Sequence, residues 1–161
     1  MSAGEHLHRL ALAVYRRLPE RLQLFVVHRA APLHSVGAMA VVRDEAGALL
    51  LVRHSYKRGW GLPGGLVKRG EHPVDGVVRE AREEVGLAIE VVGEPAVVVD
   101  APTRRVDVVF AARPAGGTVP TTAAPASVEI AEVGWFGPGA LPALQPEAAG
   151  ALAALARLSA G

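Results

Sequence analysis

The sequence predicts a fold of mixed β-strands and helices, either α+β or an α/β sandwich. The first observation is a series of short, apolar or β-branched runs, at 36–43, 48–53, 89–99, 106–113 and 128–136. The second is helical spacing of apolar residues or helix end signals, at 6–18, 73–85 and 146–158. The third is size, because 161 residues of which 50% are hydrophobic can bury a core as one domain.

The first segment predicts an amphipathic helix over 6–18. Helical spacing relates its apolar residues, which are Leu7, Leu10, Ala11, Val14 and Leu18. Arginines interrupt the segment, so we do not expect a signal peptide, and we expect Pro19 to close the helix. We expect an N-terminal extension over 1–30 that packs against the main domain, 31–161, or against the second subunit of a homodimer. Contact with a membrane surface through 5–18 is the alternative.

The first two strands are expected to form a hairpin through Asp44 and Gly47, where glycine supplies positive φ. The next stretch, 60–65, is so rich in glycine and proline that it predicts a loop. A helix should then begin at Pro73 and end before Gly86.

Two β-branched runs follow this helix, separated by a turn at 100–105. The stretch 116–126 is rich in glycine, proline and threonine, so we expect an exposed loop. A last strand and a closing helix complete the predicted domain.

Composition restricts the class of protein. The net charge is +1, which gives no indication of a nucleic-acid partner. Cysteine is absent, which excludes a disulfide framework, a thiol nucleophile and a cysteine-built zinc site. No apolar run reaches the roughly 20 residues that span a bilayer. We therefore expect a cytoplasmic protein that uses neither nucleic acid nor a membrane as a partner.

Three glutamates of the central helix carry the chemistry. Glu80, Glu83 and Glu84 are spaced i, i+3 and i+4, so they share one face. The opposite face is expected to point into the core, through Val74, Val77, Val78, Ala81 and Val85. Like charges at this spacing repel one another, and Mg²⁺ is a cation that clustered carboxylates bind. A solvated face paired with Arg79 and Arg82 is the alternative.

The residues around these glutamates resemble the Nudix box, Gly-x5-Glu-x7-Arg-Glu-U-x-Glu-Glu-x-Gly-U, in which U is apolar. The fixed positions are filled by Gly65, Glu71, Arg79, Glu80, Glu83, Glu84 and Gly86. Leu87 fills the last apolar position, and Ala81 fills the first with a smaller side chain than usual. The resemblance, to the MutT-like domain of the Nudix hydrolase superfamily, implies an α/β/α sandwich with a mixed sheet between helices. The N-terminal helix would be an addition to that fold.

The resemblance also implies the metal site. Mg²⁺, for which Mn²⁺ can substitute, would be bound by Glu80, Glu83, Glu84 and the backbone carbonyl of Gly64. Glu71 would hold Arg79 in a charge-assisted pair that fixes the loop against the helix.

One further glutamate is implied as the general base or as a metal ligand. Glu129 lies six residues before Trp135, where MutT-type members carry such a glutamate. Glu132 is the competing candidate, and a surface role is the alternative for Glu129.

The implied activity is hydrolysis of the diphosphate linkage in a nucleoside diphosphate attached to a moiety X, which releases NMP and phosphorylated X. Nucleoside triphosphates, ADP-ribose and nucleotide sugars are all substrates of that kind. A nucleotide-sensing module without turnover is the alternative.

Substrate contacts are less sharply indicated. Several cations could reach substrate phosphates, although surface solvation explains each of them equally well, namely Arg53, Lys57, Arg58, Arg104 and Arg105. Of these, Arg53, Arg58 and Arg104 are the expected substrate contacts, together with Phe110. Phe110 can face either the core or a base-stacking pocket. His28, His34, His54 and His72 show no metal-ligand spacing with one another, and most are expected to be ordinary surface or loop residues.

Overall fold

The computed structural model describes residues 3–31, 33–116 and 122–160. The chain divides into two compact units, Met1–His34 and Ser35–Gly161. The part of the predicted 116–126 loop that covers residues 117–121 lies outside the described residues.

The first unit contains two helices, α1 (Ala3–Tyr15) and α2 (Glu20–Ala30), where the sequence predicted one helix over 6–18. α1 ends before the expected position, and Pro19 precedes α2 as its N-cap. The second helix escaped prediction because four consecutive apolar residues, 24–27, are spread around the helix and blur the pattern of a single apolar stripe. No described helix is both long and apolar enough to cross a membrane.

The second unit has the predicted α+β architecture. Its elements are β1 (Ser35–Val42), β2 (Leu49–His54), β3 (Gly64–Leu66), α3 (Pro73–Val85), β4 (Ile89–Asp100), β5 (Arg105–Pro114), β6 (Ile130–Phe136) and α4 (Pro146–Ser159). One sheet has the order β3-β1-β5-β4, and β2 pairs with β6 in a second sheet. β1 runs parallel to β5, whereas the other pairs are antiparallel, so the first sheet is mixed.

The predicted hairpin between β1 and β2 is wrong beyond its turn. Gly47 has φ +78° and donates its N–H to the Asp44 carbonyl, as the turn requires. Only one bridge, Arg43 to Leu49, joins the two arms. The strands then diverge into different sheets, in which β1 pairs with β3 and β5 whereas β2 pairs with β6.

The predicted loop over 60–65 is also corrected, because its end is a strand. Gly64–Leu66 forms β3 and pairs antiparallel with β1, with Gly64 opposite Met39 and Leu66 opposite Gly37. Glycine normally weakens a strand, but here it lets two backbones approach closely. A Cβ on Gly64 would overlap the carbonyl oxygen of Ala38.

Two hydrophobic cores lie on either side of β1 and β2. Alternate residues of each strand point to opposite faces. One core receives Ala38, Ala40, Val42, Leu50 and Val52 and is completed by α3, whereas the other receives Met39, Val41, Leu49 and Leu51 and is completed by α4. Together they form the α/β/α sandwich.

The central helix α3 has the predicted bounds, Pro73–Val85. Gly86 caps its C-terminus in the left-handed region at φ +66°, a conformation that glycine adopts without strain. Val77, Ala81 and Val85 are buried as expected. Val74 is 40% exposed, so its predicted core position is wrong, because the first turn of the helix extends past the core.

Candidate active site

A pocket of about 680 Å³ opens beside the glutamate face of α3. Its lining combines Glu80, Glu83 and Glu84 of α3 with the glycines of β3 and with residues before β6 and at the start of α4. The volume lies within the range usual for small-molecule sites. The three glutamates predicted to share a face therefore meet at one concave surface.

Arg79 is the hub of this cluster. Its Nε and Nη2 donate to the two carboxylate oxygens of Glu71, at 2.8 and 3.1 Å. Its Nη1 donates to Glu80 at 2.7 Å and to Glu83 at 2.9 Å. One guanidinium thus offsets the repulsion among three carboxylates, and its hydrogen bonds to Glu71 are the bidentate, charge-assisted kind.

The Glu71 carboxylate is held strongly in its ionised form. Hydrogen bonds from Arg79, and then from the backbone N–H of Lys68, lower the pKa of Glu71 from 4.5 to about 2. Glu71 lies at the end of the β3–α3 loop, and Arg79 lies in the second turn of α3. The pair therefore ties the loop to the helix, as the sequence predicted.

Glu84 has a different environment from Glu80 and Glu83. It is only 7% exposed, and its Oε2 accepts the backbone N–H of Gly64 at 2.9 Å. The sequence led us to expect the Gly64 carbonyl at the site, but the group seen bonding a glutamate is its N–H. Nε2 of His54, another buried residue, lies 3.8 Å from Glu84 Oε1.

His54 is itself held by a residue that the sequence did not indicate. Gln145, buried at the N-terminus of α4, places Nε2 at 3.5 Å from His54 Nδ1 and donates to the Gly59 carbonyl at 3.3 Å. An Nδ1 that accepts from Gln145 leaves the ring proton on Nε2, which faces Glu84. The expectation of a surface or loop position for His54 is therefore wrong, because β2 turns this residue inward.

The two small glycines of β3 are required by close contacts. Gly64 has φ +151°, a backbone conformation that other residues rarely adopt. A Cβ on Gly65 would lie 2.7 Å from Glu80 Oε1, so an alanine here would displace that carboxylate.

Glu129 lines the same pocket, just before β6. It neighbours Tyr56, which is 65% exposed overall. Desolvation of the phenol, and then the negative charges of Glu129 and Glu84, raise the pKa of Tyr56. Glu132, the competing candidate, forms an ion pair with Arg53 and is not part of the lining.

The fold and this geometry agree with a comparison of the sequence with known families. A sequence model of the NUDIX domain matches residues 33–158, well over half of the chain. The chain belongs to the NUDIX family.

Individual relatives agree with this assignment. The chain is 38% identical over 107 residues to a MutT-like protein from Streptomyces ambofaciens, a match that covers 66% of this chain and 66% of that protein. It is 33% identical over 110 residues to an 8-oxo-dGDP phosphatase from Mus musculus, covering 65% of this chain and 32% of that protein. The chain thus covers just under two thirds of the first relative and about a third of the second.

Solved structures show the same fold. An ADP-ribose pyrophosphatase from Streptococcus suis has a TM-score of 0.62 at 29% identity, with 78% of this chain and 90% of that chain covered. A MutT NUDIX hydrolase from Burkholderia pseudomallei has a TM-score of 0.62 at 27% identity, with 77% of this chain and 99% of that chain covered.

The residues expected to contact the substrate do not line the pocket of this NUDIX domain. Arg53, Arg58 and Arg104 are not among the residues that line it. Phe110 is buried in the core beneath α3, which is the core alternative that the sequence left open. Lys57 and Arg105, which were not among the expected substrate contacts, do line the pocket.

The donor set of the NUDIX pocket suits a hard divalent cation. Within the described ranges, no three acidic or histidine side chains already converge on one metal position. The reason is that Arg79 draws Glu80 and Glu83 toward itself. Arg79 bonds only one oxygen of the Glu80 carboxylate and one of the Glu83 carboxylate, so each keeps a second oxygen that Arg79 does not bond. Clustered carboxylate oxygens are the ligands that Mg²⁺ prefers.

Proposed function

We propose that the chain is a Mg²⁺-dependent pyrophosphohydrolase, with Mn²⁺ able to replace Mg²⁺. It would cut the diphosphate linkage in a nucleoside diphosphate attached to a moiety X and release NMP and phosphorylated X. The observation that carries the proposal is the cluster in which Arg79 ties Glu71, Glu80 and Glu83 together beside buried Glu84. NUDIX membership supports this chemistry, and all fixed carboxylates of the box are present, which weighs against a sensing module without turnover.

Glu80, Glu83, Glu84 and the backbone carbonyl of Gly64 would hold the cation. A bound Mg²⁺ neutralises phosphate oxygens and lowers the pKa of a coordinated water. Arg79 holds the carboxylates of Glu80 and Glu83 in place by its hydrogen bonds to them.

Glu129 is our choice for the general base. Its carboxylate lines the pocket, where it can take a proton from the attacking water. Glu132 is paired with Arg53 instead, at a position where both side chains are about half exposed.

This assignment predicts that Glu129→Gln lowers kcat by about a hundredfold or more, as loss of a general base does. Glu132→Gln, which removes the same charge three residues away, should stay near the wild-type rate. Steady-state hydrolysis by both variants tests the choice, and the opposite pattern would assign the role to Glu132.

The substrates of relatives suggest which molecules to test. They are 8-oxo-dGDP for the mouse phosphatase and ADP-ribose for the Streptococcus suis enzyme. We propose a small nucleotide as the substrate of this chain, a cytoplasmic location and, through the N-terminal extension, a homodimer. Nucleoside triphosphates, 8-oxo-dGDP, ADP-ribose and nucleotide sugars should be assayed with Mg²⁺, with Mn²⁺ and with EDTA. Hydrolysis of none of them, with one still bound, would favour a sensing module.

A further inference from the structure

Four described cations line the pocket, and three of them are engaged with its carboxylates. Arg79 is bound by the glutamate cluster. Lys57 Nζ lies 3.6 Å from Glu147, and Lys68 Nζ lies 3.9 Å from Glu83. The fourth cation, Arg105 at the start of β5, belongs to a separate arrangement.

Arg105 is held by Asp107, its neighbour on the same face of β5. Nε of Arg105 lies 2.8 and 2.9 Å from the two Asp107 carboxylate oxygens. Asp107 is buried, so this carboxylate has a fixed position. The bonds between the two side chains use only Nε, which leaves the terminal Nη edge of the guanidinium outside the pair.

The absence of a side chain at Gly37 leaves the space that the Arg105–Asp107 pair occupies. Gly37 of β1 lies opposite Asp107 of β5 on one side and opposite Leu66 of β3 on the other. A Cβ on Gly37 would overlap Asp107 Oδ1 and would lie 2.7 Å from Arg105 Nη2. The guanidinium therefore lies across β1, toward the strand that carries Gly64 and the pocket.

Both faces of the sheet thus contribute charged side chains to one pocket. The glutamates come from α3, on the face that carries Ala38. Arg105 lies on the other face, with Val109 of the same strand, which packs in the α4 core. A guanidinium fixed in this way, with its planar edge open, is suited to bind phosphate oxygens by two hydrogen bonds.

We propose that Arg105 binds a phosphate that lies beyond the hydrolysed linkage, so that the chain prefers nucleoside triphosphates to nucleoside diphosphates joined to an uncharged X. This inference rests on the proposed function. An additional phosphate brings negative charge that the engaged cations do not offset, whereas an uncharged sugar offers the guanidinium only neutral hydroxyl acceptors, whose hydrogen bonds are weaker.

ATP and ADP-glucose form a matched pair of probes, because they share adenosine and differ in the group on the second phosphate. We would measure their binding to the full chain by calorimetry with Ca²⁺ in place of Mg²⁺, and their kcat and KM with Mg²⁺. The wild type should bind ATP more tightly than ADP-glucose. Arg105→Ala should weaken ATP binding and raise its KM by about ten- to a hundredfold, the usual effect of hydrogen bonds to a charged group. ADP-glucose binding should change by less than about threefold.

Two further variants separate this role from a general loss of charge or of folding. Arg113→Ala removes an exposed arginine of the same strand that pairs with Glu90, and it should leave both probes unchanged. Gly37→Ala removes no charge but displaces the pair, so it should reproduce the loss selective for ATP. Thermal unfolding of each variant identifies any that fail to fold.

The inference is overturned if Arg105→Ala weakens both probes equally or neither, or if the selective loss follows Arg104→Ala instead. It is also overturned if the wild type does not prefer ATP. If Arg105→Ala weakens only ATP binding but the wild type hydrolyses neither ATP nor ADP-glucose, the proposed function is overturned and this inference stands. If the wild type hydrolyses both probes but Arg105→Ala affects ATP and ADP-glucose equally, this inference is overturned and the proposed function stands.

Discussion

At the scale of single residues, the site is organised by two side chains with several partners each. Arg79 bonds three glutamates, and two of these lie on its own helix. Glu84 is buried between the Gly64 N–H and His54. In the first arrangement, the bonds to Glu80 and Glu83 follow from spacing along one helix, and the family resemblance implied the bond to Glu71. The second joins residues from distant strands, and it depends on how β2 enters the core.

The Glu71–Arg79 pair predicts a pH effect on stability. Because folding lowers the pKa of Glu71 from 4.5 to about 2, its ionised form stabilises the fold above pH 4.5, and this contribution is lost as the pH falls from 4.5 toward 2. Glu71→Gln should therefore lower Tm at pH 7, and its difference from the wild type should shrink by pH 3. Thermal unfolding followed by circular dichroism measures this, with exposed Glu45→Gln as the control. A difference that does not depend on pH would contradict the prediction.

Gln145 was missed by the sequence analysis because its contact with His54 spans 91 residues of chain and has no local signal. We expect Gln145→Ala to cost about 1–3 kcal/mol in the free energy of unfolding, because it leaves buried partners unsatisfied. It should also lower kcat more than it changes KM, since His54 faces Glu84. Urea unfolding and steady-state kinetics test both effects. Gln23→Ala, which removes a side-chain bond to the Leu18 carbonyl in the first unit, is the control. A Gln145→Ala enzyme with unchanged kcat would exclude the positioning role.

At the scale of elements, helices and strands with strong patterns were predicted closely, as the bounds of α3 show. The errors fall where tertiary pairing overrides local pattern. β3 is a three-residue strand made mostly of glycine, which local propensity assigns to a loop. It becomes a strand because β1 offers an open edge and because Gly64 tolerates contact with the Ala38 carbonyl.

The close approach of Gly64 to the Ala38 carbonyl predicts that adding one methyl group at Gly64 strongly lowers stability. Gly64→Ala should separate β3 from β1, which would destabilise the fold by more than the roughly 1–2 kcal/mol that positive φ alone costs an alanine. Activity should fall with it, because the Gly64 N–H would leave Glu84. Gly70→Ala is the matched control, since Gly70 also has positive φ, at +78°, but has nothing within 4 Å of its Cβ position. Urea unfolding of the two variants makes the comparison, and equal losses of stability would contradict this account of β3.

At the scale of the whole molecule, the chain consists of the unit Ser35–Gly161, which contains both cores and the pocket, and the helical unit that precedes it. The NUDIX match begins at residue 33. In the first unit, large apolar side chains are exposed, among them Leu10, Val14 and Phe25. We propose that they contact a second copy of the chain, as the amphipathic pattern suggested.

Removal of residues 1–32 tests this proposal. Because Ser35–Gly161 has its own cores, the shortened chain should unfold cooperatively and keep hydrolytic activity within about threefold. Sedimentation should show a dimer for the full chain and a monomer for the shortened one. A monomeric full chain would contradict the homodimer, and a shortened chain that does not fold would contradict the proposed domain boundary.

The measurement that tests the central claim most directly is hydrolysis by the wild type and by Glu84→Gln, with products resolved by chromatography. The glutamine keeps an oxygen for the Gly64 N–H, so we expect the variant to fold with nearly the wild-type Tm. The wild type should release NMP in the presence of Mg²⁺ and not of EDTA, and Glu84→Gln should lose about a hundredfold or more in kcat, because a carboxylate that would hold the cation is gone. Near-normal turnover by the folded variant, or equal activity in EDTA, would contradict a metal-dependent site built on this helix.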